Sequence, residues 1–207
     1  MPKFRALLGA LAAAGLLAAV AVVSSSGAAG AHERWAHATL RTADGSRIGT
    51  VSFVDERHSD ETEITVRVWR SSALVGFHGL HIHANDVSSN GDGCIADATQ
   101  PSTTWFVSAD GHWKHDPGEL HGTHAGDLPS VYVNSDGSAT IEFDVDKLTP
   151  SEVVGRAVVL HAGPDNFGNV PVGEGADQYK AGASALAKTQ ATGNAGDRFA
   201  CGVVNAH

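Results

Sequence analysis

Apolar and polar residues alternate along several short segments of the chain, and this alternation predicts β-strands. It is clearest at residues 63–68, Glu-Ile-Thr-Val-Arg-Val, and at residues 141–145, Ile-Glu-Phe-Asp-Val. A period of two gives each strand one buried face. Downstream of residue 31, no stretch of ten or more residues carries an apolar stripe at helical spacing. The pattern therefore predicts an all-β fold, either a sandwich or a barrel.

Turn residues separate these strands. Asp-Gly at 44–45 lies between predicted strands at 38–42 and 48–54, and Asp-Gly at 136–137 lies between predicted strands at 131–133 and 141–145. Since Asp-Gly favours tight hairpin turns, we expect two hairpins here. Further strands are predicted at 77–83 and 157–160, with a turn at 148–153 before the latter.

Two long segments break the pattern, residues 85–124 and 163–197. Both contain glycines and lack regular alternation. Loops of this length inside a compact domain are usually functional, because a rigid sheet can present a site on its loops. They also hold several of the candidate metal ligands and lysines discussed below.

The N-terminal segment predicts export. A lysine and an arginine precede an apolar run at 7–23, which is followed by small residues ending in Ala-Gly-Ala at 29–31. A membrane anchor is the alternative interpretation of this run, but its Ala-rich composition and Ala-x-Ala ending favour a secretory signal peptide over residues 1–31. Cleavage before His32 is preferred, and an earlier cut after Ala28 or Ala29 is the alternative. The domain would then span residues 32–207, secreted or extracytoplasmic and without an integral membrane anchor. Whether it associates with the cell wall stays open.

Composition and charge restrict the partners. Of 207 residues, 42% are hydrophobic, which is typical of a globular domain, and the formal net charge is −9. Loss of Lys3 and Arg5 with the signal peptide would make it −11. An acidic protein is not expected to bind nucleic acid. An anionic substrate would need a local positive region, for which Arg198, Lys180 and Lys188 are the candidates.

Cys94 and Cys201 are the two cysteines of the chain. An even number in an exported protein predicts a disulfide bond between them. This bond would connect the loop after His83 to the segment that carries Arg198.

Seven side chains are candidate metal ligands: His81, His83, His112, His121, His124, Asp127 and His161. Imidazoles with one carboxylate suit copper and zinc, whereas calcium and magnesium prefer oxygen ligands. His81 and His83 are two apart on a predicted strand, so both rings leave the same face. His78 is at an odd spacing from them and is interpreted as a hydrogen-bonded structural histidine.

Seven ligands are too many for one metal ion and one too few for two separate four-coordinate sites. If His112 uses both ring nitrogens, the count is resolved. The copper set would be His81, His83, His112 and His161, and the zinc set would be His112, His121, His124 and Asp127.

Five motifs identify a family resemblance: Gly-Phe-His-Gly-Leu-His-Ile-His at 76–83, Asp-Gly-His at 110–112, His-Ala-Gly-Asp-Leu-Pro at 124–129, His-Ala-Gly-Pro-Asp-Asn at 161–166 and Gly-Asn-Ala-Gly-Asp-Arg-Phe-Ala-Cys-Gly-Val-Val at 193–204. In this order they resemble copper/zinc superoxide dismutase of the bacterial secreted type. The resemblance covers nearly all of the chain after residue 31.

This resemblance implies an eight-stranded Greek-key β-barrel with two long functional loops. It also implies an antioxidant oxidoreductase that dismutes the superoxide anion to oxygen and hydrogen peroxide. Copper would cycle between two oxidation states, and the imidazolate of His112 would join it to a structural zinc. By this resemblance Arg198 would guide the anion to the copper, and Asp165 would be the carboxylate that links His81 to His121. The disulfide bond also matches the family. A homodimer is one open alternative for the oligomeric state.

The middle zinc ligand has two candidates, His115 and His121. His121 is preferred because its spacing from His112 leaves room for the chain to turn. Some bacterial relatives bind copper alone, but here all four zinc-type ligands are available.

Four other functions compete with the dismutase hypothesis. A copper store would need the same ligands but not Arg198. His32, if exposed by cleavage, could chelate copper as a brace, as in oxidative polysaccharide-degrading enzymes, or could scavenge metal together with His37. The brace needs another histidine and leaves the downstream cluster unexplained, whereas metal scavenging is less demanding. Hydrolysis at zinc is disfavoured because four protein ligands leave no open position for water.

Overall fold

The computed structural model describes residues 34–56, 59–69, 71–166 and 185–207. The expected signal peptide at 1–31, together with His32 and Lys180, lies outside the described residues.

The described residues form eight strands: β1 (Trp35–Thr42), β2 (Arg47–Asp55), β3 (Thr62–Val68), β4 (Gly76–His83), β5 (Asp127–Val133), β6 (Ala139–Val145), β7 (Ala157–His161) and β8 (Arg198–Ala206). Two helices accompany them, α1 (Pro150–Val153) and α2 (Ala185–Thr192). Short 3₁₀ turns lie at Ser72–Leu74, Ser88–Asn90, Ser102–Thr104 and Val107–Ala109. In the part of the chain described, no helix has the length and apolar character needed to cross a membrane.

The strands form one sheet in the order β5-β4-β7-β8-β1-β2-β3-β6, with antiparallel pairing throughout. Its two edge strands, β5 and β6, contact each other, so the sheet curls into a nearly closed barrel. Consecutive strands such as β3 and β4, or β6 and β7, are not neighbours in the sheet, as in Greek-key folds. The prediction of an all-β, eight-stranded barrel is confirmed.

The two Asp-Gly turns have different outcomes. At Gly45, where φ is +83°, β1 and β2 pair directly and form the predicted hairpin. At Gly137 the chain also reverses tightly, and the Gly137 N–H donates to the Asn134 carbonyl at 2.9 Å. However, β5 pairs with β4 and β6 pairs with β3, so the predicted β5–β6 hairpin is wrong. Turn residues determine the local reversal, whereas the ladder partners are determined by the closure of the barrel.

The predicted turn at 148–153 contains the one-turn helix α1. Thr149 and Glu152 form a reciprocal capping box at its start, and Pro150 occupies the first turn. These residues satisfy the first backbone N–H groups, which explains why so short a segment is helical.

Alternate residues of the strands fill the barrel. On β1, Ala36, Ala38 and Leu40 are fully buried, and they pack with Phe53, Ile64, Leu80, Leu128 and Leu160 from other strands. Strand β7 is buried on both faces, and so are the last six residues of β4. Because Leu80, Ile82 and Leu160 point into the barrel core, the alternating His81, His83 and His161 lie on its outer side, beneath the long loops.

The disulfide bond between Cys94 and Cys201 is present, which confirms the predicted pairing. It joins residues 107 positions apart, and a loop of about this length corresponds to about 5 kcal/mol in the chain-entropy model. A small apolar cluster that includes Phe106, Val159 and Cys201 packs around it. The bond fastens the loop after β4 to β8.

Candidate metal centre

Two strands and one loop bring four histidines together. His81 and His83 lie on β4, and His161 ends the neighbouring β7, where it pairs with Arg198 of β8. His112 comes from the loop and forms an isolated antiparallel bridge with His83. Hydrogen bonds from Trp113 N to Ile82 O, 2.8 Å, and from Ala84 N to Gly111 O, 2.9 Å, hold this loop against β4.

The four rings form the first cluster, which consists of His81, His83, His112 and His161. One nitrogen of each lies within 4.8 Å of the others, and all four residues are buried. The rings of His81 and His112 are closest, with centroids 4.0 Å apart. Four imidazole nitrogens at this spacing suit copper.

Each ring in the first cluster is oriented by the protein through one nitrogen. The bonds are His81 Nε2 to Asp165 Oδ2 at 2.5 Å, His83 Nδ1 to Asp110 O at 2.8 Å, His112 Nδ1 to Asp127 Oδ1 at 2.8 Å and His161 Nδ1 to Gly196 O at 3.0 Å. The other nitrogen of each ring is buried and finds no hydrogen-bond partner in the described part of the chain. A buried, unpaired polar atom is costly, and a bound metal ion removes that cost. The donor set therefore fits a metal.

Burial keeps these rings neutral, which is the form that binds metal. It lowers the pKa of His112 and of His161 to about 3. Burial also lowers the pKa of His83, with further contributions from His112 and the positive charge of Arg198. Arg198 thus lies within electrostatic range of the first cluster.

The second cluster surrounds one oxygen of Asp127 and consists of His112, His121, His124 and Asp127. The Nδ1 atoms of His112, His121 and His124 lie 2.8, 3.1 and 3.2 Å from Asp127 Oδ1. Three nitrogens and one oxygen form a typical zinc donor set. The ligand atoms that all lie within 4.8 Å of one another here belong to His81, His112, His121 and Asp127, and His124 is linked through Asp127. Asp165 engages His81 Nε2, so we group His81 with the first cluster.

Asp127 also organises the backbone of its own loop. Its Oδ2 accepts hydrogen bonds from the N–H groups of Gly122, 2.7 Å, and His124, 3.0 Å. Burial would raise the pKa of Asp127, but hydrogen bonds from His112 and His121 hold it well below its usual range. The carboxylate is charged at any physiological pH.

The pKa of His121 is affected in the opposite direction. Burial would lower it, but hydrogen bonds to Asp127 and Asp165 raise it to about 9. A cation that binds to this ring must therefore compete with a proton at neutral pH.

Asp165 connects the two clusters. Its Oδ2 accepts from His81 Nε2 at 2.5 Å and its Oδ1 accepts from His121 Nε2 at 2.6 Å, with the carboxylate fully buried. Gly193 lies against this link with φ of +61°, and a Cβ there would be 1.9 Å from Asp165 Oδ1. Sequence reasoning did not single out Gly193, and its only signal was its position at the start of the Gly-Asn-Ala-Gly motif.

The two candidates for the middle zinc ligand lie in different surroundings. His115 is half exposed, packs edge-on against Trp113 and lies 3.8 Å from the Glu152 carboxylate. His121, in contrast, lies beside Asp127. His78 is buried and donates from Nδ1 to the His161 carbonyl at 3.0 Å.

The guanidinium of Arg198 is held by the disulfide-bonded loop. Its Nη1 donates to the Phe106 carbonyl and its Nη2 to the Asp110 carbonyl. The Asp110 carboxylate in turn accepts from the backbone N–H groups of Asp86 and Val87. Of the two lysines considered with Arg198, Lys188 is exposed on α2, and Lys180 is outside the described residues.

The similarity of the chain to known proteins agrees with a copper and zinc site. The family model described as copper/zinc superoxide dismutase (SODC) matches residues 47–204. The chain is 34% identical over 171 residues to a superoxide dismutase [Cu-Zn] of Mycolicibacterium paratuberculosis, covering 81% of this chain and 72% of that protein. It is 35% identical over 170 residues to that of Mycobacterium tuberculosis, covering 80% and 68%.

Among solved structures, a crystal structure of the clock protein EA4 superposes with a TM-score of 0.60 at 24% sequence identity. The match covers 85% of this chain and 96% of that chain. At this identity the similarity concerns the fold alone.

Proposed function

The chain belongs to the copper/zinc superoxide dismutase family, whose enzymes dismute superoxide to oxygen and hydrogen peroxide with copper and zinc, and from this premise we propose which residues carry the activity. The copper ligands are His81 Nδ1 and the Nε2 atoms of His83, His112 and His161. The zinc ligands are the Nδ1 atoms of His112, His121 and His124, with Asp127 Oδ1. One observation carries this assignment: each ring of the first cluster has one nitrogen bonded by the protein and one buried nitrogen without a described partner.

The chemistry divides between metals and protein. When bound, copper supplies the one-electron oxidation and reduction of successive superoxide ions, and zinc supplies charge without redox change. His112 lies in both clusters, with Nδ1 at Asp127 and its ring 4.9 Å from that of His83. When copper is not bound to it, its Nε2 could hold a proton instead and deliver that proton to the superoxide that is being reduced.

Arg198 attracts and orients the anion. Its guanidinium stays protonated, and two loop carbonyls fix its plane, so its remaining N–H groups can bind superoxide through charge-assisted hydrogen bonds. In a chain of net charge −9, such a local positive group is needed to favour entry of an anion.

Export is part of the same proposal. Residues 1–31 act as a cleaved signal peptide, and residues 32–207 form the secreted enzyme. The Cys94–Cys201 bond supports this, because disulfides persist in oxidising compartments outside the cytosol. N-terminal sequencing of the protein from its own host would test the cleavage before His32.

The assignment is tested by metal analysis and superoxide consumption on two matched variants. His112→Ala removes the shared ring, whereas His115→Ala removes a half-exposed histidine three residues away. We expect wild type and His115→Ala to carry copper and zinc in a ratio near one and to consume superoxide, and His112→Ala to lose activity and both metals. Unchanged occupancy and activity in His112→Ala would overturn the assignment. Metal binding without turnover in wild type would instead indicate a storage protein.

A further inference from the structure

A half-buried lysine, Lys147, connects the two edge strands at the place where no ladder of hydrogen bonds closes the barrel. β5 and β6 are the edge strands, and they contact each other without pairing. Lys147 follows β6, and its ammonium donates to the backbone carbonyl of His124 at 3.1 Å and to that of Asp127. One side chain thus connects the end of β6 to the turn that precedes β5.

That turn carries two proposed zinc ligands, and its backbone is tightly bonded. Asp127 N donates to the His124 carbonyl at 3.1 Å, the same oxygen that Lys147 contacts. The same turn is also hydrogen-bonded to β4, because Ile82 N donates to the Gly126 carbonyl at 2.8 Å. Lys147 therefore holds the turn from the side opposite to β4.

We propose that Lys147 is a positioning residue for the zinc site, which keeps His124 and Asp127 in ligating geometry by fixing their carbonyl groups. This inference rests on the proposed zinc assignment and deepens it. No catalytic role is involved, because the ammonium contacts backbone carbonyls and not the ligand atoms.

Lys147 has two opposing effects on zinc binding, one that weakens it and one that strengthens it. A positive charge near a zinc ion weakens zinc binding by repulsion. Hydrogen bonds from a charged donor, in contrast, are strong and favour one geometry of the loop. The carboxylates of Asp127, Asp146 and Glu119 lie near enough to offset the charge of Lys147. We therefore expect the positioning effect to exceed the repulsion.

The experiment measures zinc transfer from the fully metallated protein to a coloured chelator. Lys147→Met removes the charge and the donors at similar length, Lys147→Arg retains both, and Lys188→Met alters an exposed lysine on α2 as the control. By analogy with other residues that orient metal ligands, we expect Lys147→Met to release zinc about ten times faster or more. Lys147→Arg should recover most of the difference and Lys188→Met should match wild type, with copper content unchanged in all variants.

Zinc release from Lys147→Met at the wild-type rate, or more slowly, would overturn the inference. If Lys147→Met does not fold, Lys147→Gln is measured against the same criterion, because it keeps one donor group without the charge. A wild-type protein that holds no zinc would instead refute the proposed zinc site, so the two failures are distinguishable.

Discussion

Replacing Asp165 by asparagine tests the connection between the two metal sites. Both oxygens of this buried carboxylate accept hydrogen bonds, from His81 Nε2 at 2.5 Å and from His121 Nε2 at 2.6 Å. Asparagine has nearly the same shape but only one acceptor oxygen. One of the two imidazole N–H groups must then face an amide N–H, and it loses its acceptor.

The magnitude follows from the loss of one buried, charge-assisted hydrogen bond. Such a bond contributes about 1.5–3 kcal/mol, which corresponds to about 10- to 150-fold in an equilibrium constant. Residues that orient metal ligands typically change metal affinity by about 10- to 100-fold, in the same range. We expect this effect at zinc, because Asp165 Oδ1 holds Nε2 of the proposed zinc ligand His121 and so orients its ring.

Zinc affinity is measured by competition with a chelator of known affinity, on copper-loaded wild type, Asp165→Asn and Asp144→Asn. Asp144 is an exposed carboxylate on β6, so its variant controls for the change in net charge. We expect Asp165→Asn to bind zinc about 10- to 100-fold more weakly and Asp144→Asn to match wild type. A zinc affinity of Asp165→Asn within twofold of wild type would refute the idea that this carboxylate positions His121.

Three further predictions concern other parts of the site. Gly193→Ala should lower zinc content per chain and the unfolding temperature, because its Cβ would lie 1.9 Å from the Asp165 carboxylate; Gly45→Ala, also at positive φ but with open space around it, controls for backbone strain and should keep its zinc. Arg198→Gln should lower kcat/KM for superoxide by about 10- to 100-fold and flatten its dependence on ionic strength, with metal content unchanged; an unaltered salt dependence would contradict anion guidance. Zinc affinity of the metal-free protein should rise about tenfold per pH unit from pH 7 towards about 9 and then level off, because zinc must displace one proton from His121. Calorimetry in buffers of different ionisation enthalpy measures how many protons are released. A zinc affinity that does not change with pH below pH 8.5 would contradict the raised pKa of His121.

Much of this fold could be predicted from the sequence because strand signals are local. The alternation at 63–68 and 141–145 identified β3 and β6 to within two residues at each end. Which strands pair with each other was harder to predict from the sequence. Asp-Gly at 136–137 reverses the chain as expected, yet β5 and β6 take other ladder partners, which depend on contacts distant in sequence.

The candidate site likewise contains residues that could be identified from the sequence and residues that could not. The spacing of His81 and His83 predicted a chelating pair, and the spacing of His121 from His112 favoured it over His115 as the middle zinc ligand. Gly193 and Lys147 could not be found in this way. A glycine in a glycine-rich loop and a lysine after a strand are both ordinary in sequence, and their roles arise only from the atoms that fold against them.

The attachment of Arg198 to two backbone carbonyls bears on how this protein can change over evolution. Every amino acid supplies a carbonyl group, so the side chains at the two anchoring positions can vary without loss of either acceptor. An inserted or deleted residue between them would instead displace one acceptor relative to the other. We therefore expect homologous enzymes to preserve the length of this stretch.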